Sequence, residues 1–218
     1  MSNIAHDYIE EYIRSLIPES IGYIKTLEEY AKENNVPIIH PEVAQFLRVL
    51  IKSHNVKRIL EVGTAIGYSA LVMALAAGDG CEVVSIEKND SMYELATKNI
   101  KIMNMEKNIK ILKGDALEVL KDIEGEYDLV FLDAAKGHYE KFLPYCLKHL
   151  KINGLLICDN VLFRGMIATN KLLIRRKITI VKRMRKYLSN ISNMPELETV
   201  VLPIGDGIAL SCKVKEVL

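Results

Sequence analysis

Cysteine is scarce and scattered in this chain: Cys81, Cys146, Cys158 and Cys212 are the only four in 218 residues, and no two form a Cys-x-x-Cys pair. That spacing argues against a disulfide framework or a zinc site. Three of the four sit in or beside apolar strand-like runs, so they read as buried thiols of a reduced compartment. No run reaches the roughly 18 apolar residues of a membrane span. The start, MSNIAHDYIEEYIRSLIP, has no positively charged segment leading into an apolar one, so a secretory leader is not expected. A cytoplasmic protein without a membrane partner is the expectation. Neither sign of charge is in excess: 29 Lys/Arg against 28 Asp/Glu leave a net charge of +1. Nothing global therefore announces a nucleic acid or membrane binder. Repeats, low-complexity segments and linkers are also missing, and a single domain over 1–218 follows.

What is present is patterned. Half the residues are hydrophobic, enough for a sizeable core. Tyr8, Ile9, Tyr12, Ile13, Leu16 and Ile17 recur at helical spacing up to Pro18. Further helical stretches run around Ile21, Ile24 and Leu27, and through Val43, Phe46, Leu47, Leu50 and Ile51. These make a helical preface over 1–55. From 56 to 218 strand and helix signals alternate. Strands are predicted near 58–62, 82–87, 109–113, 127–132 and 154–158, and helices near 68–77, 91–104, 115–122, 139–149 and 171–191. Alternation of this kind predicts an α/β fold with a parallel sheet and helices on both faces. Two last strands, 197–202 and 207–213, are joined only by Pro203-Ile204-Gly205-Asp206, a link short enough to demand an antiparallel pair.

Two apolar runs end in oxygen-bearing side chains: Val130-Phe131-Leu132-Asp133, and Leu155-Leu156-Ile157-Cys158 followed by Asp159-Asn160. If these are neighbouring strands, about 4.8 Å apart, Asp133, Asp159 and Asn160 converge. Two carboxylates and an amide oxygen suit a hard cation such as Mg²⁺. The plainer reading of any one of them is a turn or helix-cap acid. Lys136, three residues past Asp133, adds a possible proton acceptor, or else is an exposed helix-start lysine.

After the first predicted strand comes Glu61-Val62-Gly63-Thr64-Ala65-Ile66-Gly67-Tyr68-Ser69. A dinucleotide fold wants Gly-x-Gly-x-x-Gly here, and Ala65 stands where the middle glycine belongs. That argues against a nicotinamide oxidoreductase. Glu61 would repel a phosphate and welcome a cation, which favours a cationic, phosphate-free nucleoside. Glu87 ends the second strand, 24 residues past Gly63, where an acid accepts hydrogen bonds from ribose hydroxyls; its bland alternative is a solvated strand-end acid. Asp115 suits an adenine amino group, a helix N-cap, or both.

Taken together, EVGTAIGYSA, VVSIE, GDA, FLDAAK and DNVLFRG resemble the cation-dependent O-methyltransferases, the family of catechol and caffeoyl-CoA O-methyltransferases. The resemblance runs from about Val36 to the last strand. It implies a Rossmann-like class I S-adenosylmethionine-dependent methyltransferase fold, with a seven-stranded, mostly parallel sheet and an antiparallel last strand. It further implies that Glu61, Gly63, Tyr68 and Ser69 line the methionine end of S-adenosylmethionine, that Glu87 holds the ribose, and that Asp115 and Ala116 contact adenine. Ile39 covers the cofactor and Asp133 borders it. Asp133, Asp159 and Asn160 become Mg²⁺ ligands and Lys136 the base. Methyl transfer from a sulfonium favours an oxyanion nucleophile, so the chemistry read from the residues agrees.

Residues 164–190 hold nine Lys/Arg and no acid. Ile174, Ile178, Val181, Met184, Leu188 and Ile191 make an apolar stripe, so Arg175, Arg176, Lys182, Arg183 and Lys186 project outward. With Arg164 they form either a surface for a polyanion or a solvated basic face. Within the family, Arg164-Gly165 and this helix are most similar to the bacterial tRNA 5-hydroxyuridine methyltransferases. That implies a tRNA anticodon stem-loop as partner and a wobble 5-hydroxyuridine, methylated to 5-methoxyuridine, as acceptor. A free catechol-like metabolite is the alternative acceptor, and a noncatalytic RNA-binding protein is a more distant one. The apolar face of the first helix suits a homodimer.

Overall fold

The continuous apolar runs become strands buried on both faces, as a covered parallel sheet requires. In a computed structural model describing residues 4–216, β1 (Arg58–Val62), β2 (Glu82–Glu87), β3 (Ile109–Lys113), β4 (Tyr127–Leu132), β5 (Leu150–Cys158), β6 (Leu197–Leu202) and β7 (Ile208–Lys213) form one seven-stranded sheet. Its order is β3-β2-β1-β4-β5-β7-β6. Pairing is parallel for β1 with β2, β2 with β3 and β4 with β5, while β7 runs antiparallel to both β5 and β6. The helices are α1 (Asp7–Ser15), α2 (Gly22–Glu33), α3 (Pro41–Ser53), α4 (Tyr68–Ala77), α5 (Asp90–Ile102), α6 (Ala116–Asp122), α7 (Tyr139–His149) and α8 (Ile178–Asn193). This is the expected α/β methyltransferase-type topology with its reversed last strand.

Two compact units make up the chain. One spans 12–122, and the other joins 4–11 to 123–216. In the first, α4 is apolar all round and buries eight of its ten residues, the signature of a helix enclosed on every side. It packs on α3 and α2, so the helical preface shares a core with β1–β3. In the second, α7 lies on β4 and β5, and α8 on β6. Cys81, Cys146 and Cys158 are buried and Cys212 half-buried, all as free thiols. No helix among the described residues is long and apolar enough to cross a membrane.

Two boundaries differ from the sequence reading by more than two residues. The basic helix begins at Ile178, not 171. Residues Asn170–Leu172 and Arg175–Lys177 are single 3₁₀ turns, and Ile174 is exposed, off the buried stripe. Leu173 (ψ +121°) and Ile174 (ψ +127°) are extended, which interrupts any helix running on from 171. The stripe that α8 buries is Val181, Met184, Tyr187 and Ile191. β5 also starts earlier than expected, at Leu150. Its register with β4 shifts between Tyr127 and Leu129, and Asn153 there adopts φ +63°, so the extra residues form an irregularity that composition alone does not announce.

Candidate active site

In the unit 12–122, the loop after β1 is built around left-handed backbone: φ is +102° at Gly63, +46° at Ala65 and +82° at Gly67. Position 67 favours glycine on two counts. Its φ disfavours a side chain, and an added Cβ would lie 3.3 Å from the Cβ of Ala96. Glu87 holds the loop from the neighbouring strand. Its Oε2 accepts from the backbone N–H groups of Thr64 (3.2 Å) and Ala65 (2.9 Å), and its Oε1 from that of Asn89 (2.7 Å). Glu87 is therefore no idle strand-end acid. A carboxylate has about four lone-pair sites, so three amide contacts leave capacity for a hydroxyl.

Glu61 is fully buried and lies beside Ser85 in the β1–β2 register. The Ser85 hydroxyl donates to Glu61 Oε2 and is itself hydrogen-bonded to the Thr64 hydroxyl. The Glu61 carboxyl is thus tied to the loop through Ser85. Asp115 caps α6, accepting from the N–H of Leu117 at 3.0 Å, and pairs with Lys88 at 2.9 Å. Ala116 is the first residue of that helix. Ile39 and Ser69 are buried, Ile39 just ahead of α3 and Ser69 in the first turn of α4. Tyr68 is buried too, and its hydroxyl donates to Glu28 of α2. Burial first, and then the Glu28 carboxylate, push this phenol well above the usual tyrosine range.

In the other unit the two strand tips do come together. Leu132 and Cys158 are register partners, so Asp133 and Asp159 leave adjacent strands side by side, and the Asp159 N–H donates to the Leu132 carbonyl at 2.9 Å. Asn160 turns the chain with φ +60°. Its amide nitrogen donates to Asp133 Oδ1 at 3.0 Å, and its backbone N–H to Asp159 Oδ1 at 2.6 Å. Asp159 is 1% exposed. Burial raises its carboxyl well above the usual range, the nearby Asp133 charge raises it further, and Lys136 opposes both. Beneath the pair, the Tyr139 hydroxyl donates to the carbonyls of Leu132 (3.1 Å) and Asp159 (3.0 Å). Tyr187 of α8 stacks edge-on against Tyr139 and is hydrogen-bonded to Cys158. Burial pushes that thiol up to about 12, so it acts as a packing group.

Lys136 stands in a 3₁₀ turn, its Nζ 3.5 Å from Asp206 Oδ2 and 4.6 Å from the ring centre of Phe163. In the sequence Asp206 is only the end of the short link between the last two strands. The structure makes it an anchor: Oδ1 accepts the backbone N–H of Arg164, and the Asp206 carbonyl accepts that of Leu162 at 2.9 Å. The one signal that could have marked it is its place in Gly205-Asp206-Gly207, an acid between two residues of positive φ. Among the described residues no three His, Cys, Asp or Glu side chains gather as a metal cage. The candidate cation donors are two carboxylates and one amide. That all-oxygen set fits a hard divalent ion, and its positive charge would offset the Asp133–Asp159 repulsion.

Arg164, Arg175, Arg176, Lys182, Arg183 and Lys186 are all exposed. Lys186 pairs with Glu140 at 2.6 Å, and an Arg183 Nη1–H donates to the Gly137 carbonyl at 3.4 Å. Lys177 lies 5.7 Å from the Phe163 ring centre, so the basic segment reaches the aromatic ring that Lys136 also covers. Arg185, in contrast, is spent internally on the carbonyls of Ile167 and Met166.

The sheet order with its reversed β7 and the glycine-turned loop clamped by Glu87 are features of a methyltransferase fold. The family profile described as O-methyltransferase matches residues 18–214. The chain belongs to this O-methyltransferase family, whose members draw the methyl group from S-adenosylmethionine. It is 30% identical to caffeoyl-CoA O-methyltransferase 2 of Populus trichocarpa, over 98% of this chain and 90% of that protein. Among solved structures, a protein of Staphylococcus aureus provisionally described as a caffeoyl-CoA O-methyltransferase shares 35% identity at a TM-score of 0.89, covering 95% of this chain and 100% of that one. A Podospora anserina methyltransferase bound to S-adenosylhomocysteine has the same fold, with a TM-score of 0.86 at 24% identity, over 95% and 94% of the two chains. A nicotinamide oxidoreductase and a noncatalytic binding protein are thereby set aside.

Proposed function

We propose that this enzyme is a divalent-cation-assisted O-methyltransferase acting on wobble 5-hydroxyuridine in tRNA. The observation that carries the reading is that Lys177 of the basic segment and Lys136, the candidate base, cover the same Phe163 ring. Asp133, Asp159 and Asn160 would hold the cation. When bound, it supplies charge that lowers the pKa of an acceptor hydroxyl. Lys136 takes up or steers the proton released there, and Asp206 holds Lys136 in place. Arg175, Arg176, Lys182, Arg183 and Lys186, with Arg164, would bind the phosphates of an anticodon stem-loop. The 4-carbonyl and 5-hydroxyl of the base offer the two adjacent oxygens that a catechol offers. Glu61, Gly63, Tyr68, Ser69, Glu87, Asp115, Ala116 and Ile39, with Asp133, would serve S-adenosylmethionine.

Labelled S-adenosylmethionine, Mg²⁺ and tRNA lacking the modification should yield a digested nucleoside heavier by one methyl group. Chelation should stop the reaction and added Mg²⁺ restore it. A free catechol-like acceptor is the second reading, favoured by the caffeoyl-CoA relatives. Methylation of a catechol with none on tRNA would decide for it. A homodimer is proposed from α1, which buries none of its side chains and leaves Tyr8 and Tyr12, with Leu16 just past its end, about two-thirds exposed. Sedimentation of the wild type and of a Tyr12→Lys variant tests it.

A further inference from the structure

The loop Gly63–Gly67 is held by more than its own strand neighbours. On one side Glu87 takes the N–H groups of Thr64 and Ala65. The Ile66 carbonyl turns the other way, into the side-chain amide of Asn99 on α5, at 2.9 Å. Asn99 is only 6% exposed, and its Oδ1 accepts the Tyr23 hydroxyl of α2 at 2.8 Å. One residue past the loop, Tyr68 hands its buried hydroxyl to Glu28, also of α2, and Glu28 accepts from the Ser20 hydroxyl at 2.7 Å on the same oxygen. Tyr23 and Glu28 are five residues apart in α2. That single helix of the preface therefore meets both the end of the loop and the start of α4.

Neither connection is explained by burial of apolar surface, which α2 achieves through Ile24, Leu27 and Ala31. The two polar side chains are an addition to that packing. They bear on a segment whose backbone holds positive φ at a non-glycine, Ala65, a conformation that persists when surrounding contacts over-determine it.

We propose that α2 is a brace for the cofactor loop, with Glu28 and Tyr23 as positioning residues for S-adenosylmethionine binding. Glu28 fixes Tyr68 and with it the first turn of α4. Tyr23 fixes Asn99, which in turn sets the Ile66 peptide. The inference rests on the loop being the cofactor site. If a net hydrogen bond is worth about 1 kcal/mol, losing one should weaken cofactor binding by roughly fivefold.

The test is calorimetric titration of the full-length protein with S-adenosylhomocysteine alone, without metal or acceptor. Glu28→Ala and Tyr23→Phe should each raise the dissociation constant about three- to tenfold. Glu28→Gln, which keeps an acceptor for Tyr68, should stay within twofold of wild type, as should Glu29→Ala on the exposed face of the same helix. In turnover at saturating acceptor with S-adenosylmethionine varied, its KM should rise while kcat holds, a split that general destabilisation would not produce. Wild-type binding with unchanged affinity in both Glu28→Ala and Tyr23→Phe overturns the brace and leaves the cofactor site standing. Equal loss in Glu28→Gln and Glu28→Ala also overturns it. Absence of binding by the wild type overturns the loop assignment and the brace with it.

Discussion

Removing Asp206 should cost the enzyme in two separable parts, and two variants divide them. Asp206→Asn keeps an acceptor oxygen for the Arg164 N–H and removes the charge facing Lys136; Asp206→Ala removes both. The ion pair spans 3.5 Å, with side chains 22% and 10% exposed. At an effective dielectric near 20 its gross attraction is about 5 kcal/mol, but desolvation offsets most of that, leaving about 1 kcal/mol net. The amide-to-carboxylate hydrogen bond, charge-assisted and half-buried, contributes roughly 2 kcal/mol. A chain of this size loses about 2–4 °C of Tm per kcal/mol. Asp206→Asn should therefore melt a few degrees low and Asp206→Ala about 6–12 °C low. Differential scanning fluorimetry at fixed salt and pH measures both. Because the anchored segment 160–165 carries Asn160, methyl transfer should also fall further in Asp206→Ala than in Asp206→Asn. If the alanine variant is no less stable and no less active than the asparagine variant, the anchoring argument is refuted.

Asp159 supplies a pH signature. Its folded-state pKa is raised, by burial first, so in cation-free protein its stability contribution is full below the unfolded carboxylate pKa and is lost as pH rises through the higher folded value. Asp159→Asn should therefore stabilise the cation-free protein more at pH 8 than at pH 5, and a Tm difference independent of pH would contradict this. On the basic face, changing Arg176, Lys182 and Arg183 together to alanine should flatten the salt dependence of tRNA binding by about 2 in the log–log slope while leaving S-adenosylhomocysteine affinity alone. An unchanged slope would remove those residues from the interface. Gly207→Ala should be severe: its φ is +91°, and the new Cβ would collide with the Leu162 side chain and lie 2.8 Å from the Leu162 nitrogen. Strain plus overpacking of about 4 kcal/mol should lower Tm by on the order of 10 °C, which a melting curve would confirm or deny.

Much of the candidate site was legible because strand tips are written locally. An apolar run ending in an acid places Asp133, Asp159 and Glu87 at the ends of buried strands, and parallel pairing then brings Asp133 beside Asp159 without any further information. The glycines of the loop after β1 were equally legible, since only their backbone freedom permits that turn. The role of Glu87 as a clamp on Thr64 and Ala65 was less so, because a hydrogen bond across 22 residues leaves no periodic trace. Asp206 leaves no local trace for a related reason: its partners Lys136 and Arg164 come from segments far from it in the chain. The start of α8 was less legible because hydrophobic periodicity includes Ile174, which the fold leaves exposed on extended backbone.

By itself the amino-acid sequence determined which segments are strands and helices, where the sheet reverses, and which acids stand at strand ends, because periodicity, turn chemistry and chain length act between near neighbours. Only the tertiary structure decided that Asp206 holds Lys136, that Tyr68 answers to Glu28, and that Asn99 bridges Tyr23 to Ile66. Those contacts join residues brought together by packing, and a side-chain hydrogen bond over such a distance depends on ångström-level placement that no local pattern encodes.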